Sequence, residues 1–400
     1  MLEKIAYQFN LQKKPRQQAA DLSFLNQLIG DEVRHFHSKF HDYKPTPLRE
    51  LHHLSRALGL GAIYVKDESK RFGLNAFKGL GGSYAIGKFL AKKLNRDINT
   101  LSFEMLSSPA IKAQIGDITF VTATDGNHGR GVAWATEQLG MKAVVYMPKG
   151  SSEIRAQNIR NHGAQCTITE LNYDDTVQLA SQMAVQNNWI LLQDTAWDGY
   201  EEIPTWIMQG YMTLALEAVE QLKQPPTHLI LQAGVGSFAA AIMGYFVGLI
   251  KDNPPIFIVV EPHKANCLYQ SAVANDNLPH SVSGAMDTVM AGLACGVPNT
   301  ISWPVLRDYS DIFISAHDCL AANGVRIAAA PHPDTDTPFI SGESGAIGLG
   351  LLYELIKNST HHTLCQRLKL DDHSRILLIS TEGDTSPDIY EDIVWLGRNE

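Results

Sequence analysis

Short apolar runs alternate with amphipathic segments along most of the chain. Ile63-Tyr64-Val65, Ile118 to Ala123, Ala143 to Met147, Leu229 to Gln232, Ile256 to Val260 and Ile376 to Ile379 read as strands. Segments between them show helical spacing, as in Ile207 to Leu222. This alternation predicts an α/β fold with mostly parallel sheets. Leu229 to Ile250 carries no charge over 22 residues, long enough for a membrane span. Gln232 and four interior glycines divide it instead into strand, turn and helix. No internal repeat or low-complexity linker interrupts the pattern.

Three polar or glycine-rich segments lie between such runs. In the first, Lys78 stands alone among apolar and glycine residues, Gly73 to Gly82, ahead of a helix expected to begin at Ser83. A desolvated ammonium there predicts a lowered pKa and a nucleophilic neutral amine, as a Schiff-base lysine requires. The competing reading is a solvated lysine at a helix N-terminus. In the second, Ala233-Gly234-Val235-Gly236-Ser237 joins a strand to a helix. Close backbone approach and free N–H groups make such a turn an anion cradle, although an ordinary tight turn looks the same. In the third, Thr124-Asp125-Gly126-Asn127-His128-Gly129 follows a strand and precedes the helix start Val132-Ala133-Trp134-Ala135. Its polar density exceeds what capping by Asp125 requires, and α/β proteins place their sites on such loops.

In this order the three segments resemble the fold-type II family of pyridoxal-phosphate enzymes. Pro45-Thr46-Pro47-Leu48 looks like the family's opening segment. Lys66-Asp67-Glu68 with Asn75-Ala76-Phe77-Lys78-Gly79 looks like its lysine motif, and Asp125 to Gly129 like its asparagine loop. Gly234 to Ser237 resembles its phosphate loop, and Ser380-Thr381-Glu382-Gly383-Asp384 lies where the family meets the pyridine nitrogen. The resemblance implies two open, mostly parallel twisted sheets flanked by helices. A small mobile domain, residues 83–199, would be inserted in a large cofactor-binding domain, residues 1–82 and 200–400. It also implies pyridoxal 5′-phosphate as cofactor and a homodimer.

By the same resemblance Lys78 holds the cofactor and moves the Cα proton. Gly234, Val235, Gly236 and Ser237 hold the phosphate, and Asn127 meets the ring hydroxyl. Thr381 or Ser380 meets the ring nitrogen. A hydroxyl there leaves that nitrogen unprotonated, which favours prompt loss of a β leaving group. Asp125 departs from the dehydratases, which carry Ser at this position. A carboxylate suits a substrate with a second ammonium and supplies a base on another face of Cα. The wording of the lysine and asparagine segments, with Gln193 to Trp197, resembles members that act on 2,3-diaminopropionate. That implies cleavage of the D and L isomers to pyruvate and two ammonia, Lys78 serving L and Asp125 serving D. Asp194 is assigned a second acidic role near the β-ammonium, with a strand-end cap as its equal alternative. Glu343 in Gly342 to Ala346 is a further candidate for lining the site.

The net charge of −9 disfavours nucleic acid or an anionic membrane as partner. A hydrophobic content of 44% is ample for a core. Five cysteines without regular spacing fit a reducing cytoplasm. Cys267 and Cys295 could pair, with free thiols the favoured reading. No metal-site spacing is present, and His361-His362 reads as polar loop. The first ten residues lack an apolar leader core, so secretion is not expected. Competing functions are a serine or threonine dehydratase or racemase, a silent pyridoxal-phosphate-binding regulator, and a nicotinamide dehydrogenase. Asp125, the intact Lys78 and Asn127, and the missing Gly-x-Gly-x-x-Gly respectively weigh against them.

Overall fold

The computed structural model describes residues 3–331 and 336–399. Residues 1, 2 and 400, at the ends of the large unit expected from the sequence, lie outside the described residues, as do 332–335. Eleven strands are present among the described residues: β1 Ile5–Phe9, β2 Leu48–Glu50, β3 Ala62–Asp67, β4 Thr119–Ala123, β5 Lys142–Met147, β6 Gln165–Ile168, β7 Ile190–Leu191, β8 His228–Gln232, β9 Ile256–Pro262, β10 Ile312–Ala316 and β11 Arg375–Ser380. They form a seven-stranded sheet, β1-β10-β9-β8-β11-β3-β2, and a four-stranded sheet, β6-β5-β4-β7. The smaller sheet is wholly parallel. In the larger one only the edge strands β1 and β2 run antiparallel.

Alternation along the central strands explains their unbroken apolar runs. In β9, Phe257 and Val259 enter one hydrophobic core while Ile258 and Val260 enter another. In β11, Leu377 and Ile379 divide from Ile376 and Leu378 in the same way. Both faces are therefore covered, as parallel sheets require. The first of these cores also takes in Phe120, Val145 and Met147, so one apolar layer runs from the large sheet to the small one. The uncharged run 229–250 resolves into β8, a glycine turn and the helix Ser237–Leu249. No helix among the described residues is long and apolar enough to cross a membrane.

A buried ion cluster anchors the chain that leads to Lys78. The side chains of Lys66, Glu68, Arg71 and Glu217 have no solvent exposure. Arg71 donates to Glu217 through Nη1 and Nη2, each at 2.8 Å, and Lys66 Nζ lies 2.7 Å from Glu217 Oε2. Two cations and two carboxylates cancel, which is how such charges persist without water. The end of β3 is thus fixed to the helix Glu202–Gln221.

Candidate active site

Five loops meet at one cavity, each following the carboxyl end of a parallel strand. Lys78 comes after β3, Asp125 and Asn127 after β4, Asp194 after β7, Gly234 to Ser237 after β8, and Thr381 after β11; all of them line it. Both sheets contribute, so the cavity sits where their strand ends face one another.

The helix after Lys78 spans Gly79–Leu94, with Lys78 as its N-cap residue. It begins four positions before Ser83, the start expected from the sequence. Tertiary packing overrides the poor helix propensity of Gly79-Leu80-Gly81-Gly82. A Cβ on Gly81 would stand 2.6 Å from Tyr211 Cε1, and one on Gly210 2.6 Å from Leu80 O. Only bare backbones let these helices touch this closely. The helix of the asparagine loop likewise starts early, at Asn127 rather than near Val132. Its N-cap is Gly126 and no side chain caps it, so Asp125 is free of a capping role.

Lys78 corrects a second expectation. Burial does press its pKa down, as the apolar neighbours suggested. The carboxylates of Asp194 and Asp125 and the hydrogen bond to Asp194 outweigh it, and the pKa rises above the ordinary lysine value. Lys78 Nζ donates directly to Asp194 Oδ2. For Asp194, burial pushes up, but His128 and Lys78 prevail and hold its carboxyl at about 2. Asp194 is therefore the ionic partner of the lysine. Asp125 shifts the opposite way: burial raises its carboxyl, against the pull of Arg155 and Lys78.

Around these charges stand groups suited to a phosphorylated aromatic ligand. The helix Ser237–Leu249 has no side-chain cap, so its first N–H groups face the cavity end of the glycine turn. Ser237 Oγ donates to Asp194 O at 2.7 Å and accepts from Asn299 Nδ2 at 2.8 Å. Asn127 Nδ2 donates to Glu382 Oε2 at 2.5 Å. Thr381 lines the cavity, where its Oγ1 accepts from Gln232 Nε2 at 3.1 Å. Ser380 instead turns its hydroxyl to Ser341 Oγ at 2.7 Å, away from the cavity. Glu343 begins the helix Glu343–Lys357 without lining the cavity, and its neighbour Ser344 takes that place. Burial, with Glu382 nearby, pushes Glu343 up to about 7.

A family model described as "Pyridoxal-phosphate dependent enzyme" matches residues 40–381. The chain belongs to this family. A diaminopropionate ammonia-lyase of Salmonella typhimurium is 68% identical over 403 residues, covering 100% of both chains. The crystal structure of diaminopropionate ammonia lyase from Escherichia coli in complex with D-serine superposes with a TM-score of 0.92 at 47% identity. It covers 99% of this chain and 98% of that one. The same enzyme in complex with an aminoacrylate-PLP azomethine reaction intermediate gives 0.90, with the same identity and coverage.

The cavity fits the family's cofactor on its own evidence. Three buried polar atoms on its wall, Tyr211 Oη, Ser344 Oγ and His128 Nδ1, have no hydrogen-bond partner within the protein. Unpartnered buried donors and acceptors are costly, and here they ring a space beside an uncapped helix and a lysine. Pyridoxal 5′-phosphate supplies a phosphate, a ring hydroxyl and an aldehyde to such partners.

Several of these groups were not singled out in the sequence. Gln232 reads simply as the end of a strand, Tyr211 falls within the helical stretch Ile207 to Leu222, and Arg155 lies in none of the motifs. Glu382 was visible only as a member of the motif Ser380 to Asp384. In the fold it accepts from Asn127, from Thr385 Oγ1 at 3.1 Å and from the Ser344 N–H at 3.2 Å. Glu201 and Glu202 are exposed at the start of the helix Glu202–Gln221, and Asp198 is exposed in the turn before it. Cys267 and Cys295 are free thiols, with Cys295 on the cavity wall. His361 closes a short turn and His362 opens the helix His362–Arg367, so neither sits in an extended loop.

Proposed function

We propose that the chain cleaves 2,3-diaminopropionate, as D and L isomers, to pyruvate and two ammonia by α,β-elimination. The observation that carries this reading is the charge pattern of one cavity: a single lysine, Lys78, among three carboxylates, Asp125, Asp194 and Glu382. An excess of anions suits a substrate that carries a second ammonium.

When bound, pyridoxal 5′-phosphate supplies an electron sink for the charge that develops at Cα. Gly234 to Ser237 hold its phosphate, Asn127 its ring hydroxyl and Thr381 its ring nitrogen. Lys78 moves the Cα proton of the L isomer. Asp125 takes the Cα proton of the D isomer from a different face, and its burial-raised carboxyl is better matched to that task near neutral pH than an ordinary aspartate. Asp194, kept ionised, attracts the β-ammonium and so favours departure of the protonated amine.

In this reading residues 83–199 form a small mobile unit against 1–82 and 200–400, and the helix Gly79–Leu94 spans their boundary. The four-stranded sheet lies wholly within the smaller unit, which supports the division. We place the enzyme in the cytoplasm as a homodimer; five free thiols suit a reducing compartment.

Incubation with each isomer of diaminopropionate and of serine tests the reaction. Two ammonia per pyruvate from both diaminopropionate isomers, with weak serine turnover, is expected. Pyruvate arising mainly from serine overturns it. Lys78→Ala should abolish turnover of both isomers. Asp125→Asn should damage D turnover far more than L, and equal losses would mean that Asp125 binds substrate without acting as a stereospecific base.

A further inference from the structure

Arg155 lies on the helix Glu153–Arg160 and is 6% exposed. Its guanidinium is used on three sides. Nε donates to Ser386 Oγ at 2.9 Å and Nη2 to Thr385 Oγ1 at 3.2 Å, both on the segment after β11. Nη1 lies 3.5 Å from the Asp125 carboxylate and 3.5 Å from the Asp125 carbonyl oxygen. The loop is shaped to receive it. Gly126 adopts φ +149°, and a Cβ there would stand 2.9 Å from Arg155 Cδ.

We propose that Arg155 is a positioning residue for the D-isomer reaction, fixing the Asp125 carboxylate, holding it ionised near neutral pH, and bolting its loop to residues 385–386. The inference rests on Asp125 being the base for that isomer. Asp125 is faced by Lys78 at the helix start, Glu382 after β11, Asp194 after β7 and Arg155, with His128, Tyr173 and Cys295 in reach of the same charge. Burial and the two neighbouring carboxylates favour a proton on Asp125, and the two cations oppose it. Lys78 is already engaged by Asp194. Arg155 is thus the cation left to Asp125.

The test is the pH dependence of kcat for each isomer in holoenzyme carrying Arg155→Met, Arg155→Lys or Asp125→Asn. Loss of the cation should move the acid limb of the D profile upward by about one pH unit. At a fixed pH on that limb D turnover then falls about tenfold, and well above it turnover changes little. The L profile keeps its acid limb where the parent enzyme has it, whatever its height, and Arg155→Lys restores part of the D shift. In the cofactor-free chain, hydrogen exchange at the amides of residues 385, 386 and 388–390 should quicken in Arg155→Met. Equal movement of both limbs overturns the inference. So does faster exchange with a D limb that stays in place, since Arg155 is then only a structural tie. If Asp125→Asn harms both isomers equally, the premise fails and the inference with it. If Asp125→Asn is D-selective and Arg155→Met leaves the D limb unmoved, the inference alone fails. Should Arg155→Met not fold, Arg155→Lys decides by the same criterion with a smaller shift.

Discussion

The reversed expectation for Lys78 can be tested directly by replacing its partner. Asp194→Asn keeps the shape of the side chain that receives Lys78 Nζ and removes its charge. A unit charge pair at about 4 Å is worth about 4 kcal/mol in an environment of effective dielectric near 20. At about 1.4 kcal/mol per pKa unit this corresponds to roughly three units, a rise of up to about a thousandfold in neutral amine at fixed pH. Burial, which favours the neutral form, is unchanged, while Asp125 remains as a second anion and moderates the gain. The assay is brief reductive methylation of the cofactor-free chain near neutral pH, read by peptide mass spectrometry. Lys142, whose side chain is 71% exposed, serves as internal standard. Lys78 should be labelled more slowly than Lys142 in the parent protein and at least about tenfold faster in Asp194→Asn than in the parent. Labelling within about twofold in the two proteins would refute the ion-pair account and return Lys78 to the apolar setting read from its neighbours.

Other perturbations follow from the same geometry. Glu217→Gln leaves Lys66 and Arg71 under-compensated in a site without solvent exposure, and urea unfolding should show a loss of about 3–5 kcal/mol. Burial pushes Glu217 up, but Arg71 and Lys66 hold its carboxyl below the ordinary value. Its stabilisation is therefore complete above the unfolded carboxylate pKa and lost as pH falls through the lower folded value, a slope that Glu217→Gln should flatten. Gly131→Ala should destabilise by about 1–3 kcal/mol, because its Cβ would stand 2.8 Å from Gly79 N and 3.0 Å from Lys78 C; cofactor retention should fall with it in equilibrium dialysis. Glu382→Gln loses the charged acceptor of Asn127 and should weaken pyridoxal phosphate binding about tenfold, about 1.4 kcal/mol.

The large parallel core was legible because each central strand is apolar on both faces. β3, β4, β5, β8, β9 and β11 correspond to the six runs read from the sequence. The strands missed differ in kind. β1 and β2 are antiparallel edges, and β2 spans three residues, Leu48–Glu50. β7 has two residues and β6 four, none of them fully buried, so neither offers an apolar run long enough to read as a strand. β10 is the exception: Ile312-Phe313-Ile314-Ser315-Ala316 is fully buried and carried the same signal as its neighbours. Helix starts were placed late at Lys78 and Asn127 because glycine-rich first turns look like loop until the helices packed against them are known.

The site divides along the same line between local and long-range information. Lys78, Asp125, Asn127, the glycine turn and Thr381 were legible because each sits in its own motif, on a loop after a strand. What those residues do to one another was not, since the partners arrive from far along the chain. Asp194 reaches Lys78 across 116 positions and reverses its charge preference. The segment after β11 shows how far this goes. Read locally, it offers a hydroxyl, of Thr381 or Ser380, for a ring nitrogen. In the fold, Glu382 takes Asn127, Asp384 takes Asn75 Nδ2 at 2.9 Å, and Thr385 and Ser386 take Arg155. The Thr381 carbonyl receives the Phe77 N–H at 3.1 Å, one residue before the lysine. One stretch near the end of the chain therefore sets the spacing between the lysine loop, the asparagine loop and the arginine that faces Asp125. A change in its backbone should disturb Lys78 and Asp125 together, whereas a change at Arg155 should disturb only Asp125, and this difference separates a scaffold from a tuned charge.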